Sequence, residues 1–334
     1  MWPSESRPSI ATGDSPYGPL GSVDVPGARE AVVGERGEIA YVATMDGFAA
    51  VDVSDPTDPA VLAERREIDT DERESLGGIW DLRVQGDRLA VVGPADQSRG
   101  PRGVALFDVT DPADPSQVAF HPTEFAIHNA DFAGNTVALT GTGLPESSLV
   151  LVDVAGDDPV EVARWSPVDH DEAWAGVDRS LRPLHDIYLH EGLASLVYWD
   201  AGTWLVDISD PTAPVVRSRI GARSPADLLA LSADERRIEP RIPPGNHHYS
   251  QISEDGDLLA VGAEAWATET RDGNRVGGPG GIDLYDISDP AAPAHRGHIE
   301  PPASPNQTID GRFTTAHNFD IDGAFFNVDG RLVA

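Results

Sequence analysis

Apolar and polar residues alternate along most of this chain in short runs, the period of a strand that buries one face. The runs end on one recurring phrase. Val51-Asp52-Val53-Ser54-Asp55-Pro56, with Pro59 after it, returns as Phe107-Asp108-Val109-Thr110-Asp111-Pro112, as Val206-Asp207-Ile208-Ser209-Asp210-Pro211 and as Tyr285-Asp286-Ile287-Ser288-Asp289-Pro290. A weaker copy runs from Val152-Asp153-Val154 to Asp158-Pro159. Ahead of each phrase lie two further strands, such as Asp186-Ile187-Tyr188-Leu189 and Leu193-Ala194-Ser195-Leu196-Val197-Tyr198. A fourth follows the Asp-Pro turn, as in Val215-Val216-Arg217-Ser218-Arg219-Ile220.

Four strands with tight turns, repeated about every 50 residues, predict an all-β chain folded as a β-propeller of four-stranded antiparallel blades. A β-sandwich is the runner-up, but it does not account for a repeated four-strand module. Five complete units fall at 29–68, 79–123, 127–166, 184–220 and 247–299. A sixth begins at His317 and stops at Ala334, so the last blade reads as partial and the chain as C-terminally truncated.

The remaining segments are read around that array. Residues 1–18, rich in Ser, Pro and Gly, are expected to be a disordered leader, with one propeller domain over 19–334. Leu20 to Val25 reads as an orphan strand of the kind that closes a propeller ring. Within an insertion at 222–246, Ser224 as N-cap and Pro225 at the first helical position predict a short helix up to Leu231, then a rigid loop over 240–245. The stretches 69–75 and 268–281 read as solvated loops.

Charge changes the picture. Against 56 acidic residues stand 24 basic ones, every one of them Arg, for a formal charge of -32. That balance fits a surface working in molar salt, where a Debye length of about 3 Å screens carboxylate repulsion. It makes nucleic acid a poor partner, since phosphate binding needs a basic footprint. There is no Cys, hence no disulfide or thiolate metal site. No apolar run is long enough for membrane insertion, and no signal peptide is visible at the start.

The repeated phrase resembles the motif of the LVIVD-repeat proteins, and the copies span nearly the whole chain. The stretch Leu184-His185-Asp186 with Tyr198-Trp199-Asp200-Ala201-Gly202-Thr203-Trp204 resembles the haloarchaeal members in particular. The resemblance implies a propeller, and it implies a location at the cell surface or outside the cell, while the missing export signal leaves the cytoplasm open. It implies no reaction.

Candidate chemistry sits in one column of the repeat. His128, His185, His248 and His317 occupy equivalent positions opening the first strand, with Trp80 and Arg29 in the same slot of earlier units. First strands line a propeller axis, so these imidazoles have the makings of a divalent transition-metal site for Fe, Zn, Cu, Ni or Mn, with Glu264 and His247 in support. The competing reading follows from period-two parity. His128 shares a side with Ala130 and Phe132, which turns it into the gap between blades as a hydrogen-bonding spacer. Trp80, Trp199 and Trp204, with Tyr198 and Trp266, form a candidate stacking surface for glycan. The turn aspartates recur in every unit and read as caps on local N–H groups.

The expected function is a non-enzymatic, monomeric scaffold presenting loops to a protein or glycan. The alternatives are a metal-dependent oxygenase- or hydrolase-like enzyme, with the 222–246 insertion as a lid, and a glycan-binding module.

Overall fold

The computed structural model describes residues 20–300, apart from 71–72, 98, 157, 222, 239–240, 243, 270–271, 277 and 279, together with 319, 326–328 and 331–333. Among these, five four-stranded antiparallel sheets follow one another along the chain. Blade I holds β1 (Ala28–Val33), β2 (Ile39–Thr44), β3 (Gly47–Asp52) and β4 (Ala60–Arg65). Blade II holds β5 (Asp81–Gln85), β6 (Arg88–Gly93), β7 (Gly103–Asp108) and β8 (Ser116–Pro122). Blade III holds β9 (Ala126–Ala133), β10 (Thr136–Thr142), β11 (Ser148–Asp153) and β12 (Val160–Trp165). Blade IV holds β13 (Asp186–His190), β14 (Leu193–Val197), β15 (Thr203–Asp207) and β16 (Val215–Ile220). Blade V holds β17 (Asn246–Ile252), β18 (Leu258–Glu264), β21 (Gly281–Asp286) and β22 (Ala294–Ile299), with a small hairpin of β19 (Thr268–Glu269) and β20 (Arg275–Val276) inserted. A two-stranded hairpin of β23 (Phe326–Val328) and β24 (Arg331–Val333) follows, the described part of a further unit.

The first strands of successive blades contact one another, β1 with β5, β5 with β9, β9 with β13 and β13 with β17, so they form the inner wall. The second and third strands are buried on both sides, as in β7 and β11, because each is sandwiched between neighbouring blades. The core is therefore a set of layers between blades. Phe48 and Ala50 of blade I meet Leu82, Val91 and Phe107 of blade II. Ala90 and Leu106 meet Ala130, Phe132 and Leu139. Leu149 and Leu151 meet Ile187, Leu196 and Trp204. Leu205 meets Ile252, Leu259 and Val261. Fourth strands lie outermost and are mostly exposed or half-buried.

The signature phrase does the same work in each blade. A bulge falls one or two residues before the first aspartate, at Ala50/Val51, Leu106/Phe107, Leu151/Val152, Leu205/Val206 and Leu284/Tyr285. The carboxylate then accepts the N–H two residues on: Ser54 to Asp52 and Thr110 to Asp108, each at 2.9 Å. The second aspartate repeats the device, with Thr57 to Asp55 at 2.9 Å and Thr212 to Asp210 at 3.0 Å. These turns all lie on one face of the disc.

Two expectations differ from the structure. Residues 20–25 form no strand; Val25 packs on Ala40, Ala49 and Val51 of blade I, and Gly21 lies so close to Pro56 that a Cβ would meet its carbonyl oxygen at 2.4 Å. The 222–246 insertion holds two helices: α2 (Pro225–Ala230), capped by Ser224 as anticipated, and α3 (Ala233–Ile238), whose charged sequence carries little periodic signal. The link from blade III to IV adds three short turns, α1 (Pro167–His170) and 3-10 turns at Glu172–Gly176 and Arg179–Leu181.

Candidate functional site

First strands start at one face and third strands end at the other. The Asp-Pro turns therefore occupy one face, and the histidine column, both insertions and the turn carrying Trp199 occupy the opposite one. The column converges there as an arc of rings. The Arg29 guanidinium lies 5.5 Å from the Trp80 ring centre, Trp80 is 5.8 Å from His128, His128 is 4.8 Å from His185, and His185 is 3.8 Å from His248. His317 lies outside the described residues.

The rings bind across blades. His185 donates through Nδ1 to the His248 carbonyl at 3.2 Å, joining blades IV and V. His128 donates to the Ala95 carbonyl of blade II, while burial holds its pKa below the usual value. His247 shares a 2.8 Å hydrogen bond with Thr203 of blade IV, and burial brings its pKa down to about 4. Among the described residues no three His, Asp or Glu side chains are grouped so as to hold a metal ion.

The pleat is interrupted at this column. The pairing of β9 with β10 slips between Ile127 and Ala130, and that of β17 with β18 slips between His247 and Tyr249. Both slips fall on the histidines, and a bulge re-aims the side chain it contains. In blade III the Thr140 hydroxyl fills the bulge, accepting from the N–H groups of His128 at 3.0 Å and Asn129 at 2.9 Å.

Below the rings, the polar side of the inner strands lines the axis, a feature not singled out from sequence although the alternation Asp81-Leu82-Arg83-Val84 carries it. Asp81 accepts from Ala130 N–H of the next blade at 2.7 Å, and Asp131 accepts from Leu189 N–H of the next at 2.6 Å. Arg83 contacts Asp81 and lies 3.7 Å from Asp131. Burial raises the pKa of Asp81, Asp131 and Glu30, with Arg83 opposing it. Asp186 is pushed well above the usual range, by burial first and then by the charges of Asp81 and Asp131 acting against Arg83. Arg83 itself stays charged: burial disfavours the cation, but the surrounding carboxylates outweigh it.

The proposed supporting residues diverge. Glu264, buried at the end of β18, lies 3.4 Å from His248 Nε2 and accepts from the Trp266 indole; burial raises its pKa to about 7. Trp80 is 46% exposed, with the Arg29 guanidinium over its ring. Trp199 stacks on His185 at 6.1 Å and holds a backbone φ of 36°, a left-handed conformation that costs a residue without special freedom about 1–3 kcal/mol. Trp204 lies elsewhere. It is enclosed in the core against Trp165, Trp174 and Arg219, with its N–H donating to Ala201, so its faces serve packing rather than a ligand.

Over blades IV and V, a cavity of about 670 Å³ opens between the III–IV link and the 222–246 insertion. Trp199, Trp266 and Asn246 line it from the blades, Arg236, Arg237 and Arg241 from the insertion. The arginines were not anticipated, because no repeat or spacing marks them.

Comparison with known proteins agrees with this architecture. Residues 35–64 and 185–220 match the LVIVD repeat, which supports placing the chain with the LVIVD-repeat proteins. The β-propeller domain of Myceliophteria thermophila Cps50 (Swd1) is similar at a TM-score of 0.52 and 13% identity, over 81% of this chain and 68% of that one. A functionally unknown protein from Desulfotomaculum acetoxidans is similar at 0.55 and 8%, over 81% and 69%. At such identities the likeness concerns fold alone. No curated protein sequence matches the chain. It is an all-β propeller chain that carries LVIVD repeats.

Proposed function

We propose that this chain is a non-enzymatic interaction scaffold, a rigid disc whose histidine-bearing face receives a ligand or a protein partner. One observation carries the reading: the repeated polar groups are engaged between blades. His185 bonds His248, His128 bonds Ala95, and Asp81 and Asp131 bond the next blade's backbone. A catalytic group needs its reactive atoms available to substrate, and each of these side chains has at least one such atom engaged by the scaffold. What the repeat leaves over is surface: Trp80, the two insertions and the cavity between them. A four-histidine metalloenzyme has less support, since the described ring contacts are packing, backbone bonds and a single carboxylate, Glu264 beside His248.

Metal analysis by plasma mass spectrometry tests the choice, on protein purified in high salt without a metal-affinity tag. The scaffold reading expects no near-stoichiometric transition metal, and a His185→Ala, His248→Ala variant that is merely less stable. Stoichiometric metal in the wild type, lost from a variant that still folds, would overturn it.

The reading includes a working environment of high salt, supported by the formal charge of -32 and the exclusive use of Arg. Thermal midpoints that climb between dilute buffer and molar KCl are expected; a midpoint indifferent to salt would remove this part.

A further inference from the structure

The cavity between the insertions differs in charge from the rest of the molecule. Over the whole chain acidic residues outnumber basic ones 56 to 24, yet the cavity lining holds three arginines and one acid, Asp178. Asp178 neutralises only part of this, lying 3.8 Å from Arg236, which also donates to the Leu231 carbonyl. Arg237 and Arg241 make no ion pair with any described residue. A guanidinium is a planar fork that matches a carboxylate or sulfate.

Two indoles also line the cavity. Trp266 is held by its indole hydrogen bond to Glu264, and Trp199 is held in a left-handed turn against His185. The Trp199 indole nitrogen is buried and has no acceptor among the described residues. Asn246 and Ser180 add amide and hydroxyl groups to the wall. Indole faces stack on the C–H faces of sugar rings, short polar side chains bond hydroxyls, and the volume lies in the range of small-molecule sites.

We propose that this cavity binds an anionic saccharide, a pyranose bearing carboxylate or sulfate, with Arg237 and Arg241 on the anion and Trp199 and Trp266 against the ring. The inference rests on the scaffold reading and names its ligand class. Neither arginine belongs to the inter-blade network, so both can be changed without touching the fold's supports.

Isothermal titration calorimetry with the full chain tests it, using an oligouronate, a sulfated oligosaccharide and a neutral oligosaccharide of equal length, with a mononucleotide as a fourth probe. At least one charged sugar is expected to bind at least tenfold more tightly than the neutral one. The Arg237→Gln, Arg241→Gln variant should lose at least tenfold of that affinity while keeping the wild-type unfolding midpoint. Binding of the uronate alone assigns a carboxylate, and of the sulfated sugar alone a sulfate ester. No binding of either, equal binding of the neutral sugar, tighter binding of the nucleotide, or an unchanged affinity in the variant would each overturn the proposal. Failure here with no metal in the protein leaves the scaffold reading standing. Stoichiometric metal removes that reading whatever the sugars do.

Discussion

At the rim, Asp52, Asp108 and Asp207 stand at the ends of their strands, each accepting bonds from the hydroxyl and N–H two residues on. On the axis, Asp81, Asp131 and Asp186 are buried around a single arginine. The rim hydrogen bonds hold the carboxyls below the usual range, and Asp286, paired first with Arg296 and then with Ser288, comes down to about 2. Burial pushes the axial set the other way. The same residue thus favours the folded state as an anion in one place and resists ionisation in the other. Both sets recur from blade to blade and both serve the backbone. Repetition here marks architecture whether the group is wet or dry, and the recognition we propose is placed on the face where the repeat is interrupted.

The comparison can be broken most forcefully at Arg83. Arg83→Leu leaves the axial carboxylates without their cation and is expected to cost about 3–5 kcal/mol in denaturant unfolding. The rim counterpart, Arg217→Leu beside Asp207, should stay within about 0.5 kcal/mol, because that pair is largely exposed. Equal losses would erase the distinction between the two sets.

Glu264 sharpens it through pH. Its folded pKa of about 7 stands above the ordinary 4.5 of a free glutamate, so between these values the folded protein keeps a proton that the unfolded chain has released. That contribution is full below about pH 4.5 and is lost as pH rises toward 7, on the order of 1–3 kcal/mol in all. Glu264→Gln should flatten this limb when stability is measured from pH 4 to 8; an unaltered slope would refute the assignment.

The smallest effect belongs to the rim. Depressed pKa values give stability that is present above the unfolded value and lost as pH falls, the opposite sign. Asp207→Asn should lower the thermal midpoint by about 1–3 °C at neutral pH. The difference from wild type should shrink as pH falls below the ordinary aspartate range and the wild-type carboxylate takes up its proton.

The architecture was legible because its signals are local. The Asp-Pro phrase encodes a turn through its own side chains, so five blades could be bounded to within a few residues. The histidine column was also visible, but its orientation was not. Parity assumes an unbroken pleat, and the bulges at His128 and His248 break it at the residues in question. Trp204 and Trp199 look alike in sequence, five residues apart on one strand-turn-strand. A left-handed turn exposes one to the cavity and the core takes the other. Arg236, Arg237 and Arg241 carried no signal at all: their charge means something only once the fold places them opposite two indoles.

The most direct test of the division between rim and axis is a carbon-detected NMR titration of the aspartate carboxyls. Asp186 is expected to titrate above the ordinary aspartate range while Asp52, Asp55 and Asp210 titrate below it. Asp186 titrating together with the rim would mean an axis open to water. The channel would then compete with the insertion-covered face as the place of the proposed recognition.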